Sequence, residues 1–317
     1  MRIILAPMEG VLDHLMRNIL TEIGDYDLCI TEFIRIVDQL LPERVFNRIC
    51  PELKYGGKTR SGTPVRVQLL GQNSDYLSEN ALRAIELGSQ GIDLNFGCPS
   101  PTVNKNKGGA ILLKEPETIF KIVKAVKDAI PKGNILSAKI RLGYEDKERV
   151  FDVAHAIESA GANELTVHAR TKLEGYKPPA HWDWIGKIKE RVKIPVIANG
   201  EVWSLNDYKK CKALSNCSDI MVGRGALATP NLSQVLKTNQ QPLQWESIND
   251  LLVKYTKQEI YGDKDKYYPN RIKQWLRYLK VQYPEADDLF TSIRRLKKAD
   301  DIVKMIREKQ LSSNQVL

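Results

Sequence analysis

The chain has 317 residues, of which 42% are hydrophobic and 27% charged, the composition of an ordinary globular protein with no low-complexity segment. At this length one large domain of about 250 residues plus a small one is expected, because single cores stop growing near that size. Lys and Arg number 48 against 39 Asp and Glu; the resulting charge of +9 favours polyanionic partners without naming one.

Met1-Arg2 leads at once into a short strand-like run, so neither a secretory leader nor a membrane span is expected. Cys29, Cys50, Cys98, Cys211 and Cys217 have no CxxC or Cys/His ligand spacing. They read as reduced thiols of a cytoplasmic protein without structural zinc.

Strand-like runs then alternate with helical stretches. The strands are predicted at Ile3 to Met8, Leu28 to Phe33, Val65 to Leu70, Ile92 to Asn95, Leu136 to Leu142, Glu164 to Ala169, Pro195 to Asn199 and Asp219 to Val222. Helical spacing lies between them, as in Tyr76 to Leu87, Pro116 to Ala129, Arg149 to Ala160 and Leu205 to Leu214. This alternation argues for a parallel α/β sheet, and its count matches a closed (β/α)8 TIM barrel. A doubly wound open sheet is the alternative. It is disfavoured because no GxGxxG follows the first strand and polar residues recur after nearly every strand.

After Pro230 the strand rhythm ends. Trp245 to about Arg307 reads as helices separated by Gly262, Pro269 and Pro284, so residues 1–240 are assigned to the barrel and 241–317 to a C-terminal all-helical domain. Ile272, Leu276 and Leu279 follow helical spacing and are expected to face a core. Arg271, Gln274 and Tyr278 lie on one side, and Lys273, Arg277 and Lys280 form another stripe. With Arg294, Arg295, Lys297 and Lys298 they read either as solvated faces or as a surface for a folded nucleic acid. Leu311 to Leu317 is expected to fray.

The densest chemistry lies in Asp93 to Ala110, DLNFGCPSPTVNKNKGGA. Gly97, Pro99 and Pro101 forbid continuation of the preceding strand or a regular helix, so Cys98 is expected at a strand-to-loop junction within reach of a substrate. Read alone, an isolated cysteine such as Cys98 is more often a small buried apolar residue than a catalyst. Its company points further: Asn95 offers an amide, while Lys105, Lys107, Gly108 and Gly109 offer cations and exposed backbone N–H groups to an anionic or nucleotide ligand.

Barrel sites form at the C-terminal ends of the strands. Those ends carry Pro7, Met8 and Glu9, then Glu32, Phe33 and Arg35, then Gln68, then Asn95 and Cys98. Lys139 and Arg141, His168 and Arg170, Asn199-Gly200-Glu201 and Gly223-Arg224-Gly225 follow. Each alone has a bland reading, such as a solvated charge, a satisfied core imidazole or a turn glycine. The last two groups suit a phosphate, which exposed N–H groups and a helix start bind after the seventh and eighth strands. Lys139 and His168 can add charge beside that ligand, and Gln68 can hydrogen-bond a flat heterocycle.

Together these residues resemble the tRNA-dihydrouridine synthases. The similarity runs from Leu5-Ala6-Pro7-Met8 through Gln68, Asn95-Phe96-Gly97-Cys98-Pro99, Lys139-Ile140-Arg141, His168-Ala169-Arg170-Thr171, Asn199-Gly200 and Gly223-Arg224-Gly225 into the helical tail. Arg35 and the run Arg271 to Trp275 look most like the C subfamily, which acts on uridine 16 of the D-loop. Phe96 departs from the pattern, standing where many relatives have a smaller or polar residue.

By that resemblance, FMN lies across the barrel mouth on Pro7, Met8, Glu9, Gln68, Lys139, His168, Asn199, Gly200, Glu201, Gly223 and Arg224, with NADPH as the reductant. Hydride then goes to C6 of the uracil and a proton from Cys98 to C5. Asn95 and Arg141 are near the uracil, and Arg35, Arg271, Lys273, Tyr278 and Arg294 help orient the tRNA. The resemblance implies a cytoplasmic enzyme, expected as a monomer with tRNA its only macromolecular partner. Two rival readings stay open: an FMN barrel acting on a free pyrimidine, and a tRNA-binding folding factor without catalysis.

Overall fold

In the computed structural model, residues 1–260 and 268–314 are described; Gly262, expected as a helix separator, lies outside them. The chain begins β1 (Ile3–Leu5), α1 (His14–Ile23), β2 (Leu28–Arg35), α2 (Glu43–Ile49), β3 (Val65–Leu70), α3 (Ser74–Glu86) and β4 (Ile92–Phe96). Then come α4 (Pro101–Lys105), α5 (Pro116–Ala129), β5 (Leu136–Arg141), α6 (Val150–Ser159), β6 (Glu164–His168), α7 (Trp182–Lys189) and β7 (Val196–Asn199). The barrel part ends with α8 (Leu205–Ser215), β8 (Ile220–Val222), α9 (Arg224–Ala228) and α10 (Leu232–Thr238). Four more helices complete the described chain: α11 (Trp245–Ile260), α12 (Tyr268–Leu279), α13 (Pro284–Ile293) and α14 (Ala299–Asn314).

The eight strands close in sequence order, β8 pairing parallel with β1 through Ile3↔Ile220 and Leu5↔Val222. Strands covered on both faces read as nearly continuous apolar runs, and β3, β4, β6 and β7 are buried at every residue. The predicted strands all form; β2 and β4 run beyond their predicted ends, β3 keeps its bounds and the other five are trimmed. Ala6 still donates to the Val222 carbonyl at 2.8 Å, but Pro7 has no N–H to continue the ladder, so β1 stops short of Met8.

The sequence pattern does not reveal a bulge in β2. Its register against β3 shifts between Ile30 and Phe33, and the Thr31 hydroxyl there accepts the Gln68 N–H at 3.0 Å. A bulge re-aims the side chains beyond it; Phe33 lines the cavity at the barrel mouth, and β2 runs on to Arg35.

The prolines expected to separate helices do so by opening the next one. Pro101 and Pro284 stand in the first turns of α4 and α13, where a missing N–H costs nothing. Pro269 is likewise the second residue of α12. The expected fraying of Leu311 to Leu317 is corrected in part, since α14 continues to Asn314.

Ile272, Leu276 and Leu279 are fully buried, as their spacing requires, in the same apolar cluster that packs the barrel strands against their surrounding helices. Trp275 beside them donates Nε1–H to the Leu227 carbonyl at 3.1 Å and meets Tyr255 edge-on at 5.4 Å. One helix is thereby locked on α9, at the rim of the barrel mouth.

Candidate active site

A cavity of about 470 Å3 opens among the C-terminal strand ends. It lies within the size range of small-molecule sites, about 300–1,000 Å3. Pairing of neighbouring strands sets its walls: Asn95 lies beside Lys139, Arg141 beside His168, and His168 beside Asn199. Local sequence cannot state these adjacencies, which follow from closure.

Cys98 is 8% exposed, more enclosed than a loop tip. Leu70, Val103 and Phe33 back it, yet it lines the cavity. The following loop is spent holding it. The Cys98 carbonyl accepts from Ala110 N at 3.1 Å and from Asn104 Nδ2 at 3.0 Å, while Gly108 N donates to Val103. Gly109 has φ +68°, and a Cβ there would stand 2.9 Å from the Cys98 carbonyl oxygen. Glycine is required because the loop presses against the cysteine. The N–H groups expected to meet an anion are therefore largely satisfied internally. Lys105 and Lys107 turn instead, with Arg35, to a second cavity of about 250 Å3, separated from the first by Leu70 and Val103.

Burial pushes the Cys98 thiol up from its ordinary value, against the Ser100 N–H and the cations of Arg141 and Lys139. Lys139 is pushed down to about 8 by burial and by Arg141. Its ammonium has no hydrogen-bond or ion-pair partner among the described residues. His168 is driven well below its ordinary value by burial and by Arg141, Lys139, Arg170 and Arg224, so its ring is neutral at pH 7. Its buried Nδ1 has no hydrogen-bond partner among the described residues. Arg141 donates Nε–H to the Gly97 carbonyl at 2.9 Å and Nη1–H to those of Thr171 and Gly175 at 3.1 and 3.0 Å, and its guanidinium lies beside Tyr176.

Glu201, in left-handed backbone at φ +56°, gathers Arg170, Arg224 and the Trp203 indole N–H on one carboxylate. Arg170, expected at the mouth, is fully buried and supports Glu201 from behind; its Nε donates to the Pro179 carbonyl. Asn199 donates to the Met221 carbonyl at 2.8 Å and ties β7 to β8. A Cβ on Gly223 would lie 2.8 Å from Met8 Sδ, and one on Gly225 would lie 2.3 Å from the Val202 carbonyl oxygen. These glycines let α9 approach both neighbouring loops. The first turn of α9 leaves N–H groups without acceptors in their own helix.

Pro7, Met8, Glu9, Gln68 and Gly200 also line the cavity, as does Tyr278 from α12. The sequence reading missed Tyr176 and Trp203. The Arg224 guanidinium lies over both rings, 4.9 and 5.1 Å from their centroids, and Arg141 lies 5.2 Å from Tyr176. Flanking cations and aromatics in the loops were the available signal, but local sequence does not say which rings face the mouth.

Other expected tRNA contacts fall outside this cavity. Arg271 sits at a junction with the first barrel loop, its guanidinium 2.8 Å from the Asp13 carboxylate. Lys273 Nζ donates to the Leu296 carbonyl, and its proton affinity is lowered by burial and nearby Lys297. Arg277 covers the Phe290 ring and Lys280 pairs with Asp287, so that stripe is engaged with α13. Arg294, Arg295, Lys297 and Lys298 remain exposed, without an acidic partner among the described residues.

No helix among the described residues is long and apolar enough to cross a membrane. Solved structures of the same fold include morphinone reductase in complex with tetrahydroNAD, 13% identical with a TM-score of 0.54 over 77% of this chain and 88% of that one. A variant of NCR from Zymomonas mobilis is 14% identical with a TM-score of 0.55 over the same shares. The tRNA-dihydrouridine(16) synthase of Shewanella oneidensis is 55% identical over 315 residues, 99% of this chain and 100% of that protein. The enzymes of that name from Vibrio parahaemolyticus and Escherichia coli K12 are 57% and 54% identical, over 97% of this chain and 96% and 98% of theirs. The sequence profile of dihydrouridine synthase matches residues 4–313. With a closed barrel, a cysteine at its mouth and a match along almost the whole length, the chain belongs to the dihydrouridine synthase family.

Proposed function

We propose that this chain reduces the C5–C6 double bond of a uridine in the tRNA D-loop to dihydrouridine, at position 16, using FMN and NADPH. The observation that carries this reading is an enclosed thiol, Cys98, sharing one cavity with Asn95, Lys139 and Arg141.

The cavity residues fit a flavin phosphate. A neutral imidazole nitrogen and a buried ammonium, neither with a hydrogen-bond partner among the described residues, and glycines that admit close backbone approach leave donors and space for a large, electron-rich ring with an anionic tail. Gln68, Lys139 and His168 would meet the ring system, beside Pro7, Met8 and Asn199. Gly200, Gly223 and Arg224 would hold the phosphate, with Glu201 orienting Arg224 and Glu9 at the rim. When bound, the flavin supplies the hydride and is itself reduced by the nicotinamide cofactor.

Cys98 Sγ holds the proton that C5 receives. Because burial raises the thiol, it stays protonated through neutral pH, as a general acid requires, and the resulting thiolate regains its proton from solvent. Arg141 Nη2 and the Asn95 amide stabilise charge developing on the uracil carbonyls. The target base must leave its stack, at a cost of a few kcal/mol that stacking in the cavity offsets; Tyr176 and Tyr278 supply rings there.

We read residues 1–240 as the catalytic barrel and 241–317 as the helical unit that carries tRNA. The exposed cluster from Arg294 to Lys298, with Lys273, is suited to phosphate contacts. Arg35, beside Lys105 and Lys107 at the second cavity, extends the basic surface, and Arg271 sets the helices against the barrel.

The test is mass-spectrometric mapping of dihydrouridine in tRNA from cells lacking the protein and from the same cells with it restored. Loss confined to position 16, reversed on restoration, is expected. Loss at another site would overturn the position, and no loss where no redundant synthase exists would overturn the reaction.

A further inference from the structure

Asp93 is the second residue of β4, is 1% exposed and does not line the cavity. Its carboxylate is nevertheless fully engaged. Oδ2 accepts from Gln68 Nε2 at 2.6 Å and Oδ1 accepts from the Ser137 hydroxyl at 2.5 Å. The Gln68 Oε1 accepts in turn from Asn95 Nδ2 at 2.7 Å, and Asn95 Oδ1 accepts from the Gly97 N–H at 2.9 Å. Below, Arg66 donates to the Ser137 Oγ at 2.9 Å and pairs with Glu164, which also binds Arg2.

The direction of donation matters in this chain. The nitrogen and oxygen of an amide side chain have nearly the same shape, so packing alone does not decide which way Gln68 or Asn95 turns. An ionised carboxylate accepts and never donates. It therefore takes the NH2 end of Gln68, turns the Gln68 oxygen to Asn95, and requires Asn95 to answer with its own NH2. Each amide keeps one further N–H hydrogen with no acceptor among the described residues, and both residues line the cavity.

Building on the proposed function, we propose that Asp93 is a positioning residue: its anion fixes the polarity of the Gln68 and Asn95 amides, so that both offer N–H donors to the ring carbonyls bound in the cavity. It touches neither ligand. A protonated Asp93 can donate as well as accept, and the constraint is lifted.

The groups facing Asp93 are Gln68 and Arg66 from β3 and Ser137 and Lys139 from β5, all of which favour the anion. Burial outweighs them and pushes the carboxyl up to about 6. An acid limb of activity belongs there.

The experiment compares the flavin-loaded enzyme with D93N and S137A in turnover of unmodified tRNA across pH, alongside flavin content and unfolding midpoint. Asn at 93 keeps the volume but can donate or accept. D93N is expected to retain flavin and tRNA KM within about threefold, to lose about ten- to a hundredfold in kcat, and to lose the acid limb. S137A, which removes a donor to the anion, is expected to move that limb to higher pH by about half a unit or more. Should D93N fail to fold, the shift in S137A decides alone. Turnover by D93N within twofold of the parent, a fall in unfolding midpoint without a change in kcat, or an unmoved limb in S137A would each overturn the proposal. Absence of dihydrouridine with the unsubstituted enzyme would overturn the functional reading along with it, whereas an active parent beside an indifferent D93N overturns only the role of Asp93.

Discussion

Arg271 Nη2 lies 2.8 Å from Asp13 Oδ2, while Oδ1 of the same carboxylate accepts the Met16 N–H at 3.1 Å and caps α1. Arg271 also donates to the carbonyls of Gly10 and Val11. One carboxylate thus serves two purposes, ending a barrel helix and anchoring α12. Arg271→Ala is expected to destabilise the protein by about 1–3 kcal/mol, since charge-assisted bonds in a mostly enclosed setting are lost. Arg271→Lys should recover only part, because an ammonium lacks the fork. Thermal unfolding checks this. An unchanged midpoint combined with weakened tRNA binding would move Arg271 from the junction to the RNA surface.

Cys98→Ala removes the acid and leaves its neighbours in place. Flavin content and tRNA affinity should stay near those of the parent while single-turnover reduction falls by about 10²–10⁴-fold. Because the thiol is raised by burial, any alkaline limb due to Cys98 lies above the ordinary thiol range. Reduction at the parental rate by the alanine variant would dismiss the thiol as proton donor.

Lys139 should make flavin affinity fall as pH rises through about 8, where its ammonium loses the proton. The sign for stability is opposite. Between about 8 and the ordinary lysine value the unfolded chain holds a proton that the folded chain has released, so this group's contribution to stability rises with pH. Titration of flavin affinity and of flavin-free unfolding separates the two effects. Lys139→Gln should flatten both curves, and identical slopes in parent and variant would clear Lys139 of either role.

Arg17 and Glu52 form a buried, two-pronged pair at 2.8 and 2.9 Å, far from the cavity. Arg17 also binds the Leu12 and Ile49 carbonyls. Glu52→Gln leaves a buried guanidinium without its counter-ion and is expected to cost about 3–5 kcal/mol. Glu52 is held below the usual carboxylate range by Arg17, although burial opposes this. Its stabilisation is therefore complete above that range and disappears as pH falls through the folded-state value. Denaturant unfolding across the acid range measures it, and a midpoint in Glu52→Gln equal to the parent's would refute the assignment.

The chain determined by itself where the strands lie and which residues stand at their ends. Apolar runs, prolines and glycines act over a few residues, so the end of β4 before Gly97 was legible, and Cys98, Lys139 and His168 followed from that register, whereas the stop of β1 at Pro7 was overrun. Ile272, Leu276 and Leu279 were equally legible because a helix repeats every few residues. Barrel closure decided the rest. It brought Asn95 beside Lys139 and turned Lys105 and Lys107 to the second cavity. Arg170 was placed behind Glu201, Arg271 was drawn onto Asp13, and Tyr176 was set between two guanidinium groups. These partners are distant in sequence, and no local periodicity records which of them will meet. The polarity of the Gln68 and Asn95 amides belongs to the same class, since a carboxylate from a neighbouring strand sets it and the residue types alone leave both orientations open.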